Sequence, residues 1–383
     1  LINSTDKSDI KSEIRKIISK KKSEKDIKNL ENLIISLRVG NTKYIWNEER
    51  NEIVLNEKNI SGCIKMYLDE ENLLDRFFIL PTIPEMTNIK DFERAIKQIN
   101  VDYEIQLVRK KDLLKVQSEA NRNTPLAISS MVKIIVAACI YKEISEGNIE
   151  LSSTIKIKAE DISVLSAGIG KQNIGDLFTI EELLKLLLFV SDNTAMDIFI
   201  DYLGGDKIEK FLNFEKSKVE NKGYKFNFPL TKNIYTEAWC TESNSEQQWR
   251  NSAMKKVVWT EGLDYFIDLD YVRYSMNYLL NNSWIPWDDI QNNNVIYKGG
   301  SAPGVLSCIW STRNLEKEDF LQFLFVINKR APFSLLEELY IFGCTNKIEI
   351  SAGLTPEIRD ACAMFNGFTS ANFSRASVAR LSL

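Results

Sequence analysis

The sequence predicts an α+β protein, in which an antiparallel sheet is covered by helices and interrupted by an all-helical subdomain. Strand-like runs occupy residues 101–108, 294–297, 305–312 and 320–328. The long stretch between the first two runs has apolar residues at helical spacing, and another helix is predicted near residues 334–342. The sheet is therefore expected to take strands from both ends of one domain, with the helical subdomain inserted between them.

A smaller α+β appendage is predicted ahead of this fold. Apolar residues recur at helical spacing over residues 7–37, and residues 42–68 alternate as strands do, with Asn51 and Asn56 as candidate turn residues. Prolines 81 and 84 then break the pattern. We therefore place an N-terminal appendage at residues 1–85 and the main domain at residues 86–383. No catalytic candidate stands out in the appendage.

Histidine is absent from the 383 residues, which excludes a Ser-His-Asp triad, a Cys-His dyad and a histidine-ligated zinc site. The six cysteines show no Cys-x-x-Cys spacing, so we expect neither a zinc ribbon nor a dense disulfide framework, and no metal or cofactor. The net charge of −4 does not favour nucleic acid as a partner. No apolar run reaches the roughly 18 residues needed for a transmembrane segment.

Ser130 and Lys133 form a Ser-x-x-Lys pair in a predicted helix over residues 129–145, whose apolar majority indicates burial. Residues three apart share a helix face, so the serine hydroxyl and the lysine amine can meet. Lysine acts as a base only when neutral, and burial or a nearby positive charge lowers its pKa from about 10.4. We expect Lys298 to supply that charge. Taken alone, Ser130 is more often a helix N-cap.

Two further motifs follow along the chain, Ser191-Asp192-Asn193 and Lys298-Gly299-Gly300-Ser301. Alone, the first would be a turn and the second a hairpin or bulge. The order Ser-x-x-Lys, Ser-Asp-Asn, Lys-[Ser/Thr]-Gly is the signature set of class A β-lactamases and penicillin-binding proteins. The chain resembles that superfamily of serine hydrolases from about residue 86 to about residue 342.

The resemblance implies a three-layer α/β/α, β-lactamase/transpeptidase-like fold and a role for each motif residue. Ser130 would be the nucleophile, Lys133 its base, and Ser191 the proton carrier to the leaving group, held between Lys133 and Lys298. Asn193 would bind the substrate amide or Lys133. Gly300 would let the substrate approach the strand, and the backbone N–H of Ser301 would form the oxyanion hole with that of Ser130.

Two departures from the class A pattern change the expected activity. Class A enzymes carry a Glu-x-x-Leu-Asn segment that positions the deacylating water, and none of Glu215, Glu220, Glu237 and Glu242 has that context. Gly299 replaces the hydroxyl residue that binds a substrate carboxylate. We therefore expect an esterase or amidase with weak or no β-lactamase activity.

Residues 228–231, Phe-Pro-Leu-Thr, and 298–306 resemble more closely a branch with an extra N-terminal domain, which includes β-lactamase-like proteins of clavulanic-acid biosynthesis. Alternatives are a true class A β-lactamase, a D-Ala-D-Ala peptidase, or a catalytically silent ligand-binding relative. The expected partner is a small-molecule ester, amide or β-lactam-like substrate. The resemblance also implies an extracytoplasmic bacterial protein.

Overall fold

The computed structural model describes residues 10–24, 27, 42–50, 52–109, 112–119, 124–215, 226–234, 256–281, 295–312 and 321–351. Helices and antiparallel sheets are both present, so the predicted α+β class is confirmed. The chain divides into two compact units, one formed by Leu1–Asn100 with Phe333–Asn366, the other by Val101–Pro332. No helix in the described ranges is long and apolar enough to cross a membrane.

The first unit contains a four-stranded antiparallel meander in the order β1-β2-β3-β4. Its strands are β1 Lys43–Asn47, β2 Glu52–Glu57, β3 Ile60–Leu68 and β4 Leu74–Pro81. The expected turn at Asn56 is wrong, because Asn56 pairs with Ser61 inside the β2–β3 ladder. The other expected turn residue, Asn51, lies outside the described residues. The turn lies at Lys58 and Asn59, where Lys58 adopts a left-handed φ of 52°.

In the described ranges, the same unit has the helices α1 Ile10–Ile17, α2 Ile89–Lys97 and α7 Leu335–Ser351. Helix α7 packs on α2, β3 and β4. Gly62 permits this packing, since a Cβ there would lie 2.7 Å from the Leu80 carbonyl oxygen and 3.1 Å from the Leu336 side chain. The sequence-based division assigned α2 and α7 to the main domain, whereas both belong to the first unit here. The boundary near residue 85 stays a prediction. Most of the helical pattern over residues 7–37 and the tail after residue 351 lie outside the described residues.

The second unit contains a five-stranded antiparallel sheet in the order β6-β5-β11-β10-β9. The strands are β5 Asp102–Arg109, β6 Asp112–Gln117, β9 Val295–Ala302, β10 Val305–Thr312 and β11 Leu321–Asn328. Strand β9 extends through the Lys-Gly-Gly-Ser motif, and Lys298 pairs with Ile309 of β10. The sheet thus combines strands from both ends of the unit, as predicted.

The helical part of this unit lies between β6 and β9. It contains α3 Lys133–Ser145, α4 Ile180–Phe189, α5 Asn193–Glu215 and α6 Leu269–Leu280, with a short hairpin of β7 Thr154–Lys156 and β8 Leu177–Thr179. Helix α3 contacts the other three helices, and every residue from 133 to 140 is at most 2% exposed. Helix α3 is therefore the centre of the helical layer, as its apolar sequence predicted.

We predict that Phe199→Ala lowers the free energy of unfolding by about 3 to 5 kcal/mol, because it leaves a large cavity in a closely packed core. Phe199 on α5 is fully buried in the helical cluster. The matched control is Leu177→Ala, since Leu177 is 63% exposed and its removal should change stability by no more than about 0.5 kcal/mol. Urea unfolding measures both variants. Equal midpoints for the two would contradict the assigned core.

Candidate active site

Ser130 lies in a single 3₁₀ turn, Ser129–Val132, that leads directly into α3. Ser129 adopts a left-handed φ of 49°, which is unusual for a residue with a side chain. Its backbone N–H donates to Asp264 Oδ1 at 2.9 Å, and its hydroxyl donates to the Ser301 carbonyl oxygen at 2.9 Å. These contacts fix the strained turn and leave the Ser130 side chain half-buried rather than enclosed.

Lys133 is 1% exposed, and its amine is surrounded by oxygen atoms that carry no full charge. The Nζ atom lies within hydrogen-bond distance of Ser130 Oγ at 3.2 Å, Ser191 Oγ at 3.2 Å, the Ser191 carbonyl oxygen at 2.6 Å and Asn193 Oδ1 at 2.7 Å. Among the described residues, no carboxylate forms a salt bridge with this amine. The predicted meeting of the serine hydroxyl and the lysine amine is present.

Ser191 links the two lysines of the motifs. Its hydroxyl accepts from Lys298 Nζ at 2.9 Å as well as from Lys133. Lys298 is 2% exposed, and its second acceptor is the Gly299 carbonyl oxygen at 2.7 Å. Two lysines that lie 58 and 107 positions from Ser191 thus converge at its hydroxyl group.

Burial is the main reason why the pKa values of Lys133 and Lys298 lie below the ordinary value for lysine. It lowers the pKa of Lys133 to about 7, although the charges of Asp192 and Asp197 oppose the shift. Burial and the charge of Lys133 together hold the pKa of Lys298 well below its ordinary value. We expected the charge of Lys298 to lower the pKa of Lys133, but desolvation is the cause there, and the repulsion acts on Lys298.

The carboxylate of Asp192 anchors the Ser-Asp-Asn segment through hydrogen bonds. Its Oδ2 accepts from the Ser166 hydroxyl at 2.6 Å and from the backbone N–H groups of Gly168 and Ile169 at 2.7 and 3.0 Å. Its Oδ1 accepts from the Ala195 N–H at 2.8 Å and so caps the start of α5. This anchoring lets Ser191 keep a left-handed φ of 58°.

Asn193 has both ends of its amide engaged. While its Oδ1 accepts from Lys133, its Nδ2 donates to the Val164 carbonyl oxygen at 3.0 Å. Of the two predicted partners of Asn193, the substrate amide and Lys133, the structure shows Lys133. The loop after β7 is tied to the site through this side chain.

Gly300 allows β9 to pass very close to the Ser130 turn. A Cβ at this position would lie 2.6 Å from the Ile128 carbonyl oxygen, the Met131 nitrogen and Ser307 Oγ. Ser307 also donates to the Ile128 carbonyl oxygen at 2.6 Å. Any side chain at residue 300 would push the strand away from the turn. With the Ser129–Ser301 bond, this contact brings the backbones of Ser130 and Ser301 together.

Gly299 lies beside an aromatic side chain of its own strand. A Cβ at this position would lie 2.2 Å from the Tyr297 hydroxyl oxygen, so the phenol takes the space that a longer side chain would need. Tyr297 packs against Trp310 on the neighbouring strand, with ring centroids 4.9 Å apart. The absence of a hydroxyl at residue 299 is thus matched by local packing.

A small cavity opens beside Ser130 and Lys133, and one of its walls was not predicted from the sequence. The lining includes Asn193, Thr231, Tyr265 and Asp264. Asp264 stands in no motif, and its contact with Ser129 joins positions 135 residues apart, so the sequence carries no signal for it. Of the four glutamates considered as deacylating bases, the side chain of Glu215 and all of Glu220, Glu237 and Glu242 lie outside the described residues.

The described ranges hold no cluster of three or more His, Cys, Asp or Glu side chains suited to a metal ion. All seven residues named from the motifs lie in one unit, and the serine, lysine and amide groups of Ser130, Lys133, Ser191, Asn193 and Lys298 form one hydrogen-bonded cluster.

Residues 92–237 match the family model described as the β-lactamase enzyme family, which is less than half of the chain. Among curated proteins, β-lactamase VEB-1 of Pseudomonas aeruginosa is 31% identical over 106 residues, covering 27% of this chain and 34% of its own length. β-Lactamase OXY-2 of Klebsiella oxytoca is 38% identical over 92 residues, covering 24% and 30%. The chain thus spans about a third of the length of the curated relatives it matches.

Solved structures with similar backbones include a β-lactamase from Sphaerobacter thermophilus, 16% identical, covering 71% of this chain and 99% of its own with a TM-score of 0.45. A class A β-lactamase from Clostridium kluyveri is 17% identical, covering 70% and 98% with a TM-score of 0.44. These TM-scores are too low to establish the fold. Over the parts that match, the family model and the curated relatives support a similarity to the β-lactamase and penicillin-binding-protein-like superfamily of serine hydrolases.

Proposed function

We propose that this protein is a serine hydrolase that cleaves an ester or amide through an acyl-enzyme on Ser130. The observation that carries the proposal is the environment of Lys133, whose buried amine contacts the hydroxyls of Ser130 and Ser191 without a carboxylate salt bridge in the described part of the chain. A buried lysine without a counter-ion readily loses its proton, and a neutral amine beside a hydroxyl is a general base.

In the first step, neutral Lys133 takes the proton of the Ser130 hydroxyl as its oxygen attacks the substrate carbonyl. Ser191 then passes a proton from the lysine to the leaving group, because its hydroxyl lies within hydrogen-bond distance of both Lys133 and Lys298. Lys298 positions that hydroxyl through its hydrogen bond at 2.9 Å. The reaction yields an ester of Ser130 and releases an alcohol or amine.

The developing negative charge on the carbonyl oxygen would be bound by the backbone N–H groups of Ser130 and Ser301. Support comes from the close approach of β9 to the Ser130 turn at Gly300 and from the Ser129–Ser301 hydrogen bond. Such paired donors contribute about 2.7 to 4 kcal/mol each to transition-state binding in serine hydrolases.

The substrate is proposed to be a small ester or amide for which a carboxylate next to the reacting carbonyl is not required. Gly299 offers no hydroxyl for such a group, and the Tyr297 phenol lies over it instead. A β-lactamase is the second candidate, because the curated relatives carry that name. We further propose an extracytoplasmic location and the N-terminally extended branch described above, both on resemblance.

We predict that Ser130→Ala abolishes covalent labelling by a fluorophosphonate, because the nucleophilic oxygen is gone. Intact-mass spectrometry should show one adduct on the unchanged protein, mapped to the peptide that contains Ser130. Ser145→Ala is the control: it removes an exposed hydroxyl at the last residue of α3, outside the cavity lining, and should still be labelled. Labelling of Ser130→Ala, or no labelling of the unchanged protein by either a fluorophosphonate or a penicillin, would refute the acyl-enzyme.

We predict that the rate of acylation rises with pH and levels off above about pH 7. Lys133 must be neutral to accept the proton, and burial lowers its pKa to about 7, so it is protonated and inactive below that pH. Lys133→Arg should reduce acylation by about 10²- to 10⁴-fold, since a guanidinium stays charged.

Stopped-flow acylation by a chromogenic ester measures this profile. Lys185→Arg serves as the control, since that lysine forms a surface pair with Glu181 and should keep the full rate. A rate that continues to climb between pH 8 and pH 10 would contradict Lys133 as the base.

A further inference from the structure

A buried carboxyl group shares the cavity of the proposed nucleophile. Asp264 is 7% exposed, and it lines the small cavity together with Ser130, Lys133, Asn193, Thr231 and Tyr265. Buried carboxyls are usually paired or fully hydrogen-bonded, because water no longer stabilises their charge. A buried aspartate that has an unused hydrogen-bond acceptor beside the proposed nucleophile is therefore a candidate for a chemical role.

The hydrogen bonds of Asp264 are concentrated on one of its oxygens. Oδ1 accepts from the Ser129 N–H at 2.9 Å and from the Tyr265 N–H at 2.6 Å. Oδ2 accepts from no group in the described ranges. Because both bonds come from rigid backbone, the carboxyl is held in one orientation, and Oδ2 is left for a water molecule in the cavity.

Among the described residues that line this cavity, Lys133 is the amine that faces it beside Asp264, and Tyr265 contributes a phenol that bonds to Thr231 and to the Pro229 carbonyl oxygen. Burial raises the pKa of Asp264 to about 7, against the opposing effect of its two backbone hydrogen bonds. The carboxyl is therefore half ionised near neutral pH and a stronger base than an exposed aspartate.

We propose that Asp264 is the general base that hydrolyses the acyl-enzyme. Oδ2 takes a proton from a water molecule whose oxygen forms a bond to the acyl carbonyl carbon. The bond between that carbon and Ser130 Oγ then breaks, and the product leaves as a carboxylic acid. The proton that Asp264 took from water passes through Lys133 to Oγ, so Asp264, Lys133 and Ser130 return to their starting forms. This role rests on the proposed function and replaces the glutamate base of class A enzymes.

Asp264→Asn tests the role without removing the structural contacts, because the amide oxygen can still accept both backbone N–H groups. With p-nitrophenyl acetate, the initial burst reports acylation and the steady state reports deacylation. We expect the burst rate constant to stay within about threefold and the steady-state rate to fall about 10²-fold or more. An acetyl adduct should then accumulate in the intact-mass spectrum. The pH dependence near pH 7 should disappear from the steady state.

The outcomes separate this inference from the function on which it rests. Absence of a burst and of an adduct in the unchanged protein would refute the acyl-enzyme itself. A normal burst with an unchanged steady state in Asp264→Asn would overturn only the role of Asp264. Equal slowing of both phases would show a structural role and would also overturn it.

Protein stability gives an independent readout of the same carboxyl. The pKa of Asp264 rises from 3.8 to about 7 on folding, so its contribution to stability is full below about pH 4 and is lost as the pH rises through 7. Asp264→Asn lacks this loss. The melting temperature of Asp264→Asn, measured relative to that of the unchanged protein, should therefore increase between pH 5 and pH 8. A difference that is constant with pH would contradict a buried, titrating Asp264.

Discussion

Two buried lysines share one hydroxyl group, and the rest of the site follows from this constraint. Lys133 and Lys298 both donate to Ser191 Oγ, and both are almost fully excluded from solvent. Burial removes the hydration that stabilises each ammonium group and lowers the pKa of Lys133 to about 7, while the charge of Lys133 lowers the pKa of Lys298 further. A chain without histidine thus obtains a base that is neutral near physiological pH.

Different structural elements hold these side chains in place. A helix buried on all sides presents Lys133, a cradle around Asp192 fixes Ser191 and Asn193, and an edge of the second sheet presents Lys298. Left-handed backbone at Ser129 and Ser191 is the conformational cost. Each strained residue is secured by a buried carboxylate that accepts backbone N–H groups, Asp264 in one case and Asp192 in the other. Both aspartates therefore stabilise the backbone of the site, and Asp264 is also the proposed general base.

The sequence allowed the α+β class, the main strands and the convergence of Ser130, Lys133, Ser191, Asn193 and Lys298 to be predicted, since helical periodicity and motif order are local signals. Three features could not be predicted. The position of Asp264 depends on a contact between distant loops, the β2–β3 turn is set by strand register rather than by Asn56, and the pKa of Lys133 depends on desolvation that only packing defines. Unlike the contacts among the motif residues, these three features left no pattern in the chain.

The central claim is that Lys133 is neutral in the resting protein at mildly alkaline pH. Titration of ¹³Cε-labelled lysine by NMR tests it directly, with the Lys133 signal assigned by its loss in Lys133→Arg. The account predicts a transition near pH 7 for this residue, because burial lowers its pKa to about 7. A transition near pH 10.5, the ordinary lysine value, would contradict it.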